Sequence, residues 1–192
     1  HKEYRRQRQM CIRDRVISMS LLAMALTIKT EQNVLFGNVP YFALSKPAQK
    51  QVQCLAENMY FEAAHEPDDG KIAVALVTLN RLVSGNYADD ICGVVTQKTG
   101  NTCQFSWYCE PTTTAKRLTV KQTPLYNEIQ NLAVYVLMNY ERMPDVTHGA
   151  TYYHADYVRP GWKLPVSTKI GRHIFYKSNK DLSTTDSKEI RI

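Results

Sequence analysis

The sequence predicts an α+β domain in which a helical lobe faces a small antiparallel sheet. Three observations carry that expectation. Helix-period apolar patterns with start signals occupy the chain from Ala48 to Arg142. β-Branched and aromatic runs, TYYHA and HIFY, come only after the His148-Gly149 turn. No internal repeat disturbs this order of helices first and short strands late, the pattern of an α+β domain.

Residues 1–28 comprise a basic tail and an apolar, signal-like segment, and residues 29–47 form a connector with strand-like pieces at Val34 to Phe36 and Tyr41 to Leu44. Pro47, a favoured first-turn residue, opens the domain proper, expected over 48–177. A first helix runs from Ala48 to Ala64 and is stopped by Pro67, which pushes the preceding residue out of the helical region. Asp68 or Asp69 caps a second helix to Val83, whose run IAVALVTL is apolar all round and therefore central. Ser84-Gly85-Asn86 is a turn, and Asp89 or Asp90 caps a short helix through Val95. From Thr99 to Ala115 the chain reads as loop, with a strand fragment at Gln104 to Trp107. Pro124 opens a last helix to Arg142, with Ile129, Leu132, Val136 and Tyr140 on or near one face. Residues 178–192, rich in Ser, Thr and Lys, are expected to form a loose tail.

With 192 residues and 44% hydrophobic content, the chain can bury one core. Lys2, Arg5, Arg6, Arg8, Arg13 and Arg15 against Glu3 and Asp14 place +4 of the formal +6 charge in the first fifteen residues. The remaining +2 is no field for steering to nucleic acid, so a nucleic-acid partner is not expected. The string RRQRQMCIRDR resembles translated adapter sequence, which sets residues 1–15 apart from the domain. Val16 to Ile28 is too short for a stable membrane span and carries small residues at Ala23 and Ala25, as a signal segment does. Export is the expectation, with a phage lysis protein that reaches the wall by another route as the alternative. Cys11 lies in the basic tail, leaving Cys54, Cys92, Cys103 and Cys109. Cys103 with Cys109 across a tight loop, and Cys54 with Cys92 across the core, form one hypothesis; other pairings, or four reduced buried thiols, stay open.

At 3.6 residues per turn, Leu55, Met59 and Glu62 share one side of the first helix, while Glu57 and Asn58 are expected to face water. A carboxyl carried onto an apolar face tends to keep its proton, because burial penalises the charged form. Sugar-cleaving enzymes raise such a group to about 6 so that it donates near neutrality. A structural Glu bonded to a backbone amide or an arginine is the alternative from the helix alone.

The blocks CLAENMYFEAAHEPDDGKIAVALVTLNRL, ICGVVTQ, CQFSW, GATYYHADYVRPGW and KIGRHIFY, in that order, resemble the cell wall hydrolase family typified by the spore cortex-lytic enzyme SleB. The resemblance implies a lysozyme-like or transglycosylase-like fold that cleaves peptidoglycan glycan strands as a lytic transglycosylase. The family's catalytic acid, the first Glu of the block written EARGE, maps onto Glu62. This chain reads Glu62-Ala63-Ala64-His65-Glu66, with Ala64 and His65 where the family has Arg and Gly, so an arginine's positioning role is missing there. Glu66 is a possible second carboxylate for ordinary hydrolysis. No cofactor and no metal are implied; the partner is the glycan strand, and the protein is expected to be a monomer.

Sugars present flat C–H faces rimmed by hydroxyls, so their sites need rings to stack on and polar groups at the edges. Gln104, Phe105, Ser106, Trp107, Tyr152, Tyr153 and His154 are the substrate-binding candidates. Strand alternation puts Tyr152 and His154 on one face and Tyr153 on the other, so only one set should line a cleft. Rival readings are a zinc amidase using His65, His148, His154 or His173, which lacks an H-E-x-x-H, and a cysteine peptidase pairing Cys54 with His154 or His173. A wall-binding or virion module without turnover is the non-enzymatic rival.

Overall fold

Ser45 begins the first helix, α1 (Lys46–Ala63): its side chain accepts from the Ala48 N–H at 3.3 Å, and Pro47 occupies a position where no donor is lost. The computed structural model describes residues 39–178 and residue 190. The basic tail, the signal-like segment, the Val34 to Phe36 piece and most of the C-terminal tail lie outside the described residues. Tyr41–Ala43 is a single 3-10 turn rather than a strand, and among the described residues no strand pairs with it.

Helix α2 (Asp68–Val83) starts from Pro67 without a side-chain cap. Asp68 and Asp69 sit in its first turn instead, where their charge complements the helix dipole. From Ala73 to Leu82 every residue is buried, as expected of a central helix. Asp90 caps α3 (Ile91–Thr96) by accepting from the Gly93 N–H at 2.5 Å. The stretch expected to be loop is more ordered than that. It contains a hairpin of β1 (Lys98–Thr99) and β2 (Thr102–Cys103), then α4 (Ser106–Cys109) and α5 (Thr113–Val120). The strand fragment expected at Gln104 to Trp107 is therefore displaced, because the Cys103–Cys109 disulfide folds that segment into a helical turn. Helix α6 (Pro124–Asn139) is capped by Thr123 and ends three residues before Arg142.

Strands β3 (Tyr152–Ala155), β4 (Val166–Ile170) and β5 (His173–Tyr176) form an antiparallel sheet in the order β3-β5-β4. Phe175, fully buried, packs with Ala73, Val77 and Ala150 and so seats the sheet on α2. At the β4–β5 turn, Gly171 has φ 55°, and a Cβ there would collide with the Glu66 carboxylate. The main core lies around α1, where Val52, Leu55, Ala56 and Met59 meet α2, α3 and α6. Cys54–Cys92 joins α1 to α3.

Glu57 and Asn58 do not face water. Glu57 is 1% exposed and bonds Arg117 and Lys121, at 2.5 and 2.6 Å, with Gln53 donating at 3.0 Å. Helix α5, unexpected from the sequence, supplies Arg117 and closes the side of α1 that was expected to be open. Asn58 accepts from the Trp107 indole at 2.9 Å and donates to the Thr78 hydroxyl at 3.0 Å, tying α4, α1 and α2 together. Asn80 holds the loop after α6 in the same manner, donating to Asp145, Thr147 and Ala150 and accepting from the Tyr140 hydroxyl.

Candidate active site

Four segments meet around Glu62: the last turns of α1, the end of α2, the β2–α4 loop and the edge strand β3. They enclose a cleft of about 330 Å3 lined by Glu62 and Arg81 on one wall, Thr99, Thr102, Gln104, Phe105 and Ser106 on the second, and Tyr152, Tyr153 and Trp162 on the third. That volume lies at the small end of ligand pockets.

Burial pushes the Glu62 carboxyl upward from its ordinary value. The Tyr153 hydroxyl and the Arg81 charge pull against that rise, and Glu110 adds to it. Burial also pushes the Tyr153 phenol well up, so it stays a donor. Its hydroxyl is buried and has no partner with full hydrogen-bond geometry, yet it is the side chain that acts as donor toward Glu62. Arg81 is buried. Its Nε donates to the Thr151 carbonyl at 2.7 Å, its guanidinium carbon lies 4.8 Å from the Phe105 ring centre, and Nη1 has no hydrogen-bond partner. His173 packs edge-on beneath Tyr153 at 5.3 Å, and burial lowers its pKa, keeping it neutral near pH 7.

Of the residues the sequence suggested, Glu62, Gln104, Phe105, Ser106, Tyr152 and Tyr153 line this cleft. Tyr152 and Tyr153 both contribute, although strand alternation predicts one or the other. β3 is the edge of its sheet, so the cleft meets it edge-on and takes side chains from both faces. Trp107 does not line the cleft. It is 4% exposed, stacked on Phe61 with ring centres 4.6 Å apart, and its indole N–H is spent on Asn58. His154 lies outside the cleft, between Trp162 and Tyr176. Glu66 shares a second, shallower depression with Glu62, and its carboxylate accepts from the Arg172 N–H at 3.0 Å. Among the described residues, no cluster of His, Cys, Asp or Glu could hold a metal, and no helix is long and apolar enough to cross a membrane.

Arg81, Thr99, Thr102 and Trp162 are cleft residues that the sequence reading passed over. Arg81 carries its own signal, a full charge between the apolar run IAVALVTL and the Leu82-Val83 pair on a helix expected to be central. Trp162 stands in an irregular segment after β3, where no periodicity marks it. The cysteines pair as expected, Cys54 with Cys92 and Cys103 with Cys109, and the second bridge closes the loop that carries Gln104 to Ser106.

A spore cortex-lytic enzyme of Halalkalibacterium halodurans is 33% identical over 133 residues, 67% of this chain and 35% of that protein. One from Bacillus cereus is 28% identical over 132 residues, 68% of this chain and 45% of that protein. The chain thus spans between a third and a half of the curated relatives it matches. The catalytic domain of the germination-specific lytic transglycosylase SleB from Bacillus anthracis superposes with a TM-score of 0.50 at 25% identity, covering 70% of this chain and 98% of that domain. Its lysozyme-like arrangement is the one the family resemblance implied, and its α+β class is the one expected from helices first and strands late. The family profile described as Cell Wall Hydrolase matches residues 65–176, beginning three residues after Glu62 and running to the end of β5. With that profile covering more than half of its length, the chain belongs to the cell wall hydrolase family.

Proposed function

We propose that this chain cleaves the glycan strand of peptidoglycan between N-acetylmuramic acid and N-acetylglucosamine by a lytic transglycosylase reaction, with Glu62 as general acid and then base. The observation that carries the reading is a carboxyl held above its ordinary pKa in a cleft rimmed by aromatic and hydroxyl groups. Glu62 gives its proton to the bridging oxygen as the C1–O bond breaks, and the bond pair leaves with that oxygen. The carboxylate left behind is stabilised by the Arg81 charge and the Tyr153 hydroxyl. It then takes the proton of the C6 hydroxyl as O6 closes on C1, which gives a 1,6-anhydro end, uses no water and returns Glu62 to its starting state.

Such a route needs one essential carboxylate, and the Glu66 carboxylate is engaged by the Arg172 backbone. A hydrolytic muramidase is the second reading, because Glu66 and Glu62 do share the shallower depression. The substrate places the site of action at the wall, outside the cytoplasmic membrane. Digestion of purified peptidoglycan followed by mass spectrometry tests the assignment. Anhydro-muramoyl ends that disappear with Glu62→Gln are the expected result. Reducing muramic ends would establish the hydrolytic reading instead, freed stem peptides would indicate an amidase, and sedimentation with the wall without release of fragments would leave a binding module.

A further inference from the structure

Continuing from the cleft, one face of the sheet carries a patch of rings. Trp162, 43% exposed, stands edge-on to Tyr152 at 5.7 Å, to His154 at 5.6 Å and to Tyr176 at 5.8 Å. Its plane lies 88° from that of Tyr176, so the two rings form a step. His154 stacks on Tyr176 at 5.2 Å. Tyr152 and Tyr176 are register partners on adjacent strands, and Tyr152 and His154 alternate onto the same face. Core aromatics would be covered, whereas this group is only half-buried.

The polar atoms of the patch are arranged as a rim. His154 Nδ1 lies 2.8 Å from the Ala155 carbonyl, which can only accept, so Nδ1 carries the proton. Nε2 then accepts from the Tyr176 hydroxyl at 2.8 Å. With its proton committed to His154, the half-buried Tyr176 Oη keeps its lone pairs for accepting, the role that a sugar hydroxyl proton needs.

We infer that the Trp162–Tyr176–His154 ridge is an additional saccharide subsite, which receives the glycan strand where it leaves the cleft. Tyr152 and Trp162 line the cleft and also belong to the ridge, so the two surfaces are continuous. A cleft of about 330 Å3 holds little beyond the sugars flanking the scissile bond, while a wall polymer must continue past it. Stacked and stepped rings with an accepting rim match the C–H faces and hydroxyl edges of successive hexosamines. The inference rests on the glycan reading of the cleft and adds a second contact to it.

The two tryptophans of the chain supply the assay, since Trp107 is buried and Trp162 is exposed. The Glu62→Gln protein is titrated with N-acetylglucosamine oligomers of rising length, following tryptophan fluorescence. Affinity is expected to keep rising beyond the length that fills the cleft. Tyr176→Ala should remove that later gain, about five- to tenfold, and spare the shortest oligomers that bind. Tyr176→Leu, which keeps the apolar cover without a ring, should behave alike and serves if the alanine variant does not fold. Affinity that stops rising once the cleft is full, or a gain untouched by either variant, would overturn the ridge alone. Absence of binding at every length would instead overturn the glycan reading of the cleft.

Discussion

Glu57 and Glu62 lie on the same helix, little more than a turn apart, the first buried and the second half-buried, and their surroundings differ in kind. Glu57 is met by Arg117, Lys121 and Gln53, so its charge is neutralised and its oxygens are used. Glu62 has the reach of one arginine, already fixed to Thr151, and one tyrosine hydroxyl short of full hydrogen-bond geometry. A buried acid with complete partners is a joint between helices. A half-buried acid with incomplete partners and an open cleft before it has the setting that the proposed proton donor needs.

The largest contrast should appear on exchanging each acid for its amide. Glu62→Gln keeps the shape and removes the proton, so turnover on peptidoglycan should fall about 10²–10⁴-fold with little loss of stability. Glu57→Gln should do the reverse. Breaking a buried pair costs about 3–5 kcal/mol, but Arg117 and Lys121 keep about 30% of their surface in water, which reduces the expected cost to about 1–3 kcal/mol. Denaturant unfolding together with activity per folded molecule separates the two. Equal losses of turnover in both variants would erase the distinction.

Which parts of this contrast were legible in the sequence follows from how local their causes are. Asp90, Pro47 and Pro124 mark helix starts because a cap acts within one turn, and all three helices begin where these residues place them. The central burial of α2 was legible because its run leaves no polar face. Glu57 was misread as solvated because the helix that buries it, α5, is short and polar. TTAKRLTV forms a helix there in company with the acid its arginine meets. β4 was missed for a related reason: VSTKI alternates only weakly, and its ladder depends on β5. Glu62 was found from the helix period and the family block, but its tyrosine and arginine come from residues distant in sequence.

Arg81 sharpens the comparison at an intermediate scale. If its charge holds the Glu62 carboxylate, Arg81→Met should cost more stability in the Glu62 protein than in Glu62→Gln. The coupling should be about 0.5–3 kcal/mol at pH 8 and vanish at low pH, where Glu62 is neutral. Arg81→Lys, which keeps the charge and loses the Nε bond to Thr151, should retain most of the coupling. A coupling of equal size at both pH values would make Arg81 a packing element only, as Arg117 is a joint to Glu57.

The smallest effect concerns stability against pH. In the folded protein Glu62 binds its proton more tightly than in the unfolded chain, so the unfolded chain ionises first as pH rises. Below the ordinary carboxylate value both states are protonated and Glu62 carries no pH-dependent cost. Between that value and the raised one, stability drains away with each increment of pH, and above the raised value the loss is complete and constant. Glutamine cannot ionise, so Glu62→Gln should match the parent protein at the acid end and melt above it at the alkaline end. Each unit of upward displacement contributes about 1.4 kcal/mol, or about 3–6 °C. Thermal melts across the acid-to-neutral range read this directly, and the midpoint of the divergence locates the proton affinity without any substrate. Turnover that declines through the same midpoint would tie that proton to the reaction, whereas a flat difference in melting temperature would mean that Glu62 is ionised at rest and has no proton to give.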